Sequence, residues 1–188
     1  MISLPSRVSE LEDDVTALSE HYAAWHVLVH PEVRAQFSAV LEREKSFFLP
    51  TAEAHFTCLC VSIYRLTDKR PDANSLPNIL NDIRSLYPTL IDNIEMRLKP
   101  SNPVFDRISS IRNKVYAHRD NVTGPEMIFR VANLSFELIS SCVSLLQDTI
   151  DTIAARCIAG RKEGDLIVRA TGAADEIRRD LQRILAAL

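Results

Sequence analysis

Glycine is scarce in this chain, with four residues in 188. That scarcity excludes a glycine-rich phosphate loop and argues against a strand-and-turn architecture. Excess positive charge is missing too. The formal net charge is −3, so no global field advertises a polyanion, and any nucleic-acid contact must come from a local patch. No continuous apolar run approaches the ~18–20 residues that a membrane span needs. The opening MISLPSRVSELEDDV is acidic and lacks both the basic stretch and the apolar core of a signal peptide. Cytoplasmic placement without membrane attachment is expected. Cys58, Cys60, Cys142 and Cys157 have no histidine at metal-ligand spacing and are expected to be reduced, buried thiols, a zinc site being the minor alternative. The serines have no identifiable His and carboxylate partners, so a triad is unsupported.

What is present favours helices. Apolar residues make up 46% and charged residues 25%, and Leu, Ile, Ala and Arg are abundant. The length suits one well-buried domain. Pro5 opens a helix whose apolar positions, Val8, Leu11, Val15, Leu18, Tyr22, Trp25 and Val29, step by threes and fours until Pro31 stops it. A shorter segment spans Pro31 to Glu44. Pro50 leads TAEAHFTCLCVSIYRLTDKR, apolar around most of its circumference, as expected for the central helix of a bundle. Two modest helices, Leu76–Leu86 and Pro88–Leu98, follow a proline-marked loop, and Pro103 opens another. Residues 126–158 read as one long helix. From Gly160 onward three glycines punctuate the chain before a last amphipathic helix. The expected organisation is all-α, with a bundle over 1–158. A glycine-punctuated linker and a C-terminal helical arm follow over 159–188, able to cover the bundle or reach a partner subunit.

The stretch IRNKVYAHRD, Ile111 to Asp120, carries the chemistry. Phe105, Ile108, Ile111 and Val115 form a buried stripe. That stripe leaves Arg112, Asn113 and Lys114 off the core face and puts His118 where the helix yields to a turn. Histidine can take and return a proton near neutral pH. Arginine offers permanently charged planar donors to phosphate oxygens, and asparagine can fix orientation. The set suits attack of a ribose 2′-OH on its adjacent phosphate, with no metal or cofactor required. Six residues of straight helix would put Arg112 and His118 on different faces. They need either a bend near Ala117 or a second copy meeting the first across a two-fold interface. From Arg97 to Arg119 six cations, among them Arg107, Lys114 and Arg119, face only Asp106, whereas the first twenty residues carry a net −4. A polyanion site and a plain solvated face both fit that run. Tyr116 can stack on a base or simply pack.

IRNKVYAHRD, together with the upstream SIYRLTDKR, resembles the signature of the HEPN superfamily in its abortive-infection, AbiU-type branch. The likeness spans about Ser9 to Leu146. It implies an all-α HEPN bundle that homodimerises through the motif face. It also implies endoribonuclease activity used as a toxin or phage-defence effector, on RNA, tRNA among the candidates, with an antitoxin protein as a conceivable partner. Arg112 and His118 match the catalytic pair and Asn113 the polar residue beside the arginine. Arg107, Lys114, Tyr116 and Arg119 are RNA-contact candidates. Arg65 and Asp68 match the upstream motif in a supporting role, and Asp120, at the end of the second stretch, is a further supporting residue. A non-catalytic HEPN-fold module binding RNA, a nucleotide or a partner protein is the alternative. A bundle whose Arg112 and His118 are surface residues is the third.

The remaining histidines are weaker candidates. His26 and His30 can share one helix face and hold a metal, although a partly buried pair is the simpler reading. His55, within the apolar helix, is expected to be a hydrogen-bonded core histidine.

Overall fold

The computed structural model describes residues 2–113 and 134–188. All the regular structure among them is helical: α1 (Leu4–Val29), α2 (Pro31–Gln36), α3 (Ser38–Arg43), α4 (Lys45–Thr67), α5 (Leu76–Ile83), α6 (Pro88–Leu98), a 3₁₀ turn (Lys99–Ser101), α7 (Asn102–Ile111), α8 (Phe136–Cys157) and α9 (Asp165–Ala187).

α1 is the axis of the fold. Ser3 caps it by accepting from the Ser6 N–H, and Pro5 sits in its first turn, where a missing donor costs nothing. Val8, Leu11, Val15 and Leu18 are completely buried. At His30 the backbone turns extended, as the residue before Pro31 must. α4, α8 and α9 all pack along α1, so the central place falls to α1 rather than to α4.

α4 differs from expectation in two further ways. It begins at Lys45, so Pro50 lies inside it. Burial of Phe48 in a second apolar cluster, beside Val27, Leu28, Leu41 and Leu185, accounts for that first turn. Its apolar surface is also not all inward. Phe56, Leu59, Cys60, Ile63 and Leu66 face the core, whereas Phe47, Leu49 and Cys58 are exposed. By length and composition α4 is apolar enough to cross a membrane, and 33% of its apolar window is buried inside the bundle. Buried Cys60 and Cys142 are as expected, and burial pushes the Cys60 thiol up to about 12. Cys58 is not buried, and Cys157 is only half-buried.

The Pro31–Glu44 segment is two short helices broken at Phe37, and α5 stops at Ile83. The long helix expected over 126–158 starts at Phe136. Ser135, in extended geometry, caps it by accepting from the Leu138 N–H at 3.3 Å. Leu134 and Ser135 are therefore outside it.

Past α8 the chain is tied down. Asp151, buried on α8, accepts from the backbone N–H groups of Gly164 (2.6 Å) and Leu166 (2.9 Å). Gly164 has φ +96°, a conformation that favours glycine. Arg161 reaches the buried Glu12 of α1 at 3.0 Å. The linker ends there, and the third glycine, Gly172, lies inside α9. Leu166, Ala170 and Leu185 of α9 are buried. The acids of α1 thus serve as internal anchors: Glu12 holds Arg161, Asp13 meets Arg169 of α9 at 3.4 Å, and Asp14 meets Arg65 of α4 at 3.2 Å.

Candidate functional site

The upstream motif and the described start of the second, Ile111 to Asn113, lie at the ends of α4 and α7, which pack together. α7 buries Val104, Phe105, Ile108 and Ile111, the spacing of a single inward stripe, so Arg112 emerges half-buried and Asn113 exposed. At these two residues the α-helix widens into π-helical geometry. Such widening is uncommon and frequent at functional positions. The Arg112 guanidinium carbon lies 4.4 Å from the centroid of the Tyr64 ring. Its Nη1 donates to Asn113 Oδ1 at 2.8 Å. A flexible side chain is thereby held between an aromatic face from one motif and an amide from the other.

Asp68 stands one turn beyond Tyr64, where α4 has ended and the backbone is extended. Its side chain is only 6% exposed. It accepts from the Arg70 backbone N–H at 3.0 Å and from Arg70 Nε at 2.8 Å. Burial pushes its carboxyl up, but the hydrogen bonds from Arg70, with the charges of Arg70 and Arg112, hold it below the usual range. Asp68 is therefore ionised and contributes a fixed negative charge beside Arg112. Its carbonyl accepts from the fully buried Ser75 hydroxyl at 2.6 Å, which pins the turn leading into α5.

Beside this cluster a groove of about 570 Å³ opens between the ends of α4 and α6, α5 and the face of α7. Tyr64 and Asp68 form one wall, Leu76 and Leu80 the floor, and Phe105 and Ser109 the opposite side. Arg112 is not part of the lining and adjoins the groove through Tyr64, whose ring it covers. Lys69 and Lys99 lie on its edge with Asp106.

The structure brings together Arg112, Asn113 and Asp68. Arg65 points away from them, to Asp14 on α1. Arg107 is exposed on α7, and Arg97 meets Asp148 of α8 at 3.4 Å. His118, Lys114, Tyr116, Arg119 and Asp120 lie outside the described residues. Tyr64 and Arg70 belong to the cluster although only their neighbours Arg65 and Asp68 were singled out in the sequence. Tyr64 precedes Asp68 by four residues, a helical step that puts both on one side, and that spacing was the available signal.

A second polar cluster lies on α1, away from the motifs. His21 Nδ1 and His55 Nδ1 are 3.1 Å apart, at hydrogen-bond distance, so His55 has the expected partner but is half-buried rather than in the core. His26 and His30 stack at 4.3 Å between ring centroids, with Phe136 edge-on to both. Burial holds the imidazoles of His21, His26 and His55 below the usual histidine range. Among the described residues no group of three or more His, Cys, Asp or Glu side chains is placed to hold a metal ion.

No curated protein and no solved structure matches the chain. The family model HEPN_AbiU2, described as AbiU2, matches residues 2–155. The match takes in every element from α1 to the last turn of α8, including both motifs, and stops short of the linker and α9. A helical architecture with the RLTD segment and the Arg112–Asn113 pair on packed helices agrees with it, and the chain belongs to the AbiU2 family of HEPN proteins.

Proposed function

We propose that this protein is a HEPN-type endoribonuclease that cuts RNA by attack of a ribose 2′-OH on the adjacent phosphorus. The observation that carries the reading is the position of Arg112. A permanent cation, held by Asn113, lies against the ring of Tyr64, and Tyr64 lines an open groove. A guanidinium fixed in advance stabilises charge as it accumulates on the pentacoordinate phosphate, with little reorganisation at the moment of reaction. His118, six residues on, acts as the general base and takes the 2′-OH proton. The 2′ oxygen bonds to phosphorus, the P–O5′ bond breaks, and the 5′ oxygen leaves and takes up a proton. The products carry a 2′,3′-cyclic phosphate and a 5′-OH. No step uses a metal. Asp68 keeps the Arg112 surroundings electrically balanced, and Asn113 holds the guanidinium rather than the substrate.

Two copies meeting through the ends of α7 would place two Arg112–His118 sets in one cleft, the arrangement expected of a homodimer. The role that fits such an activity is that of a toxin or phage-defence effector acting in the cytoplasm. A binding module using the same groove is the second reading, favoured by the groove's own size and mixed lining.

The test is incubation of purified protein with total RNA and tRNA in excess EDTA, beside His118→Ala and Arg112→Ala. Cleavage by wild type alone, leaving cyclic-phosphate ends, is the expected outcome. Intact RNA with folded wild-type protein overturns the catalytic reading in favour of the binding module.

A further inference from the structure

We infer that the groove between α4 and α7 is a nucleobase site, selective for guanine, that seats the base next to the phosphate held by Arg112. The inference rests on the RNA-cleavage reading for the identity of that phosphate.

Three features of the groove narrow its ligand. Its floor and side are apolar, with buried Leu76, Leu80 and Phe105. A hydrated inorganic anion gains nothing from such a surface, whereas a flat ring does. Its edge carries both signs, Lys69 and Lys99 against Asp106, so neither a purely anionic nor a purely apolar ligand satisfies it. It also shares a wall with the cation: Tyr64 lines the groove while its ring lies against Arg112. A ligand complementary to all three has an aromatic body, a hydrogen-bonding edge rich in donors, and a phosphate a few ångströms away. An unpaired nucleotide has that shape, and single-stranded bases are read in this way, by stacking and by hydrogen bonds to their exposed edges.

Asp106 decides between bases. It lies on the exposed face of α7, one helical turn before Ser109, and forms no ion pair with a described residue. The other carboxylates that line the groove are engaged, Glu95 by Arg84 and Asp68 by Arg70. An ionised carboxylate accepts only. Among the four bases, guanine alone presents two parallel donors on one edge, N1–H and the exocyclic amino group. Adenine and cytosine offer a single amino group beside a ring acceptor, which a carboxylate repels. Uracil offers one donor flanked by carbonyls.

The test is binding of 5′-GMP, 5′-AMP, 5′-CMP and 5′-UMP to the full chain by calorimetry. Wild type, Asp106→Asn and Ser109→Trp are compared, together with the positions at which wild type and Asp106→Asn cut the same RNA. Wild type is expected to bind 5′-GMP at least ten-fold more tightly than the others. Asp106→Asn removes that preference, and Ser109→Trp fills the groove and abolishes binding. Cutting by wild type is expected beside guanosines, and by Asp106→Asn at positions no longer enriched in them. Equal binding of the four nucleotides by wild type and Asp106→Asn overturns the inference, as does an unchanged cleavage pattern. Guanine-selective binding by a wild type that cuts no RNA leaves the base site standing and overturns the cleavage reading instead.

Discussion

Arg112 and Tyr64 are 48 positions apart in sequence, yet the guanidinium of one lies 4.4 Å from the ring centroid of the other. That contact joins the two motifs into one site. It also converts the least constrained kind of side chain into a fixed charge, because the ring supports one face while Asn113 holds one edge. A cation over an aromatic face gains about 1 kcal/mol when partly exposed.

Tyr64 is therefore a positioning residue, and its ring matters more than its hydroxyl. Tyr64→Leu should lower kcat on RNA about five-fold with a smaller change in KM. Tyr64→Phe should restore kcat to within about two-fold of wild type on the same cation–ring energetics. Steady-state kinetics on a single oligonucleotide separate the two. Equal kcat for Tyr64→Leu and wild type would show that Arg112 needs no aromatic support.

Asp68 predicts a specific acid response. Its folded carboxyl titrates below the usual 3.8, so over that interval the unfolded chain binds a proton that the folded chain does not. The resulting stability is complete above the unfolded value and disappears as pH falls through the lower folded one. Wild type should lose stability steeply below about pH 4. Asp68→Asn should cost about 1–3 kcal/mol at pH 7, by weakening the charge-assisted bonds to Arg70, and should flatten the acid limb. Urea unfolding at a series of pH values reads both. Parallel wild-type and Asp68→Asn curves would remove Asp68 as a source of the acid sensitivity.

The legibility of this fold divides along physical lines. The 3.6-residue periodicity of α1 and the proline-bounded α6 follow from local rules, and both helices stand where the sequence puts them. Pro50 misled because proline more often opens a helix than sits within one, and only the tertiary burial of Phe48 makes the preceding turn worthwhile. The acidic start of the chain looked like a counterweight to the basic stretch. In three dimensions Glu12, Asp13 and Asp14 are anchors for arginines 149, 156 and 51 positions away, and no sequence window of helical length connects such pairs. In the site, Arg112 and Asn113 were visible from their place off the apolar stripe. Tyr64 was not, because a tyrosine within an apolar helix is indistinguishable from core until a cation is found above it.

The histidines of α1 and α4 predict a second, milder acid response. Burial depresses His21 and His55, and it depresses His26 with help from the nearby charges of His30 and Arg178. Their folded values lie below the usual 6.5, so the stability they confer is complete above about that pH and lost as pH falls through the folded values. Protonating both His21 and His55 would also set two N–H groups against each other at 3.1 Å. The melting temperature should fall by several degrees between pH 7.5 and pH 5. His55→Phe, which keeps a ring in the same space, should reduce that fall. A melting temperature independent of pH over this range would show that these imidazoles titrate normally.

The attachment of α9 gives the sharpest stability prediction. One buried carboxylate, Asp151, satisfies two backbone donors at the point where the linker becomes the helix. Asp151→Ala leaves the Gly164 and Leu166 N–H groups without their acceptor and should cost about 2–4 kcal/mol. Asp151→Asn retains one acceptor oxygen and should cost less. The manner of the loss is as informative as its size. Leu166 and Ala170 are buried and Leu185 belongs to the cluster that seats Phe48 of α4. Release of α9 would therefore uncover apolar surface on α1 and loosen the start of α4. The expected result is a single unfolding transition moved to lower denaturant, with hydrogen exchange accelerated in residues 158–170 and also around Leu28 and Phe48. Two separate transitions, with α9 exchanging freely and the rest of the helices unaffected, would instead make residues 159–188 an independent arm laid over a self-sufficient bundle.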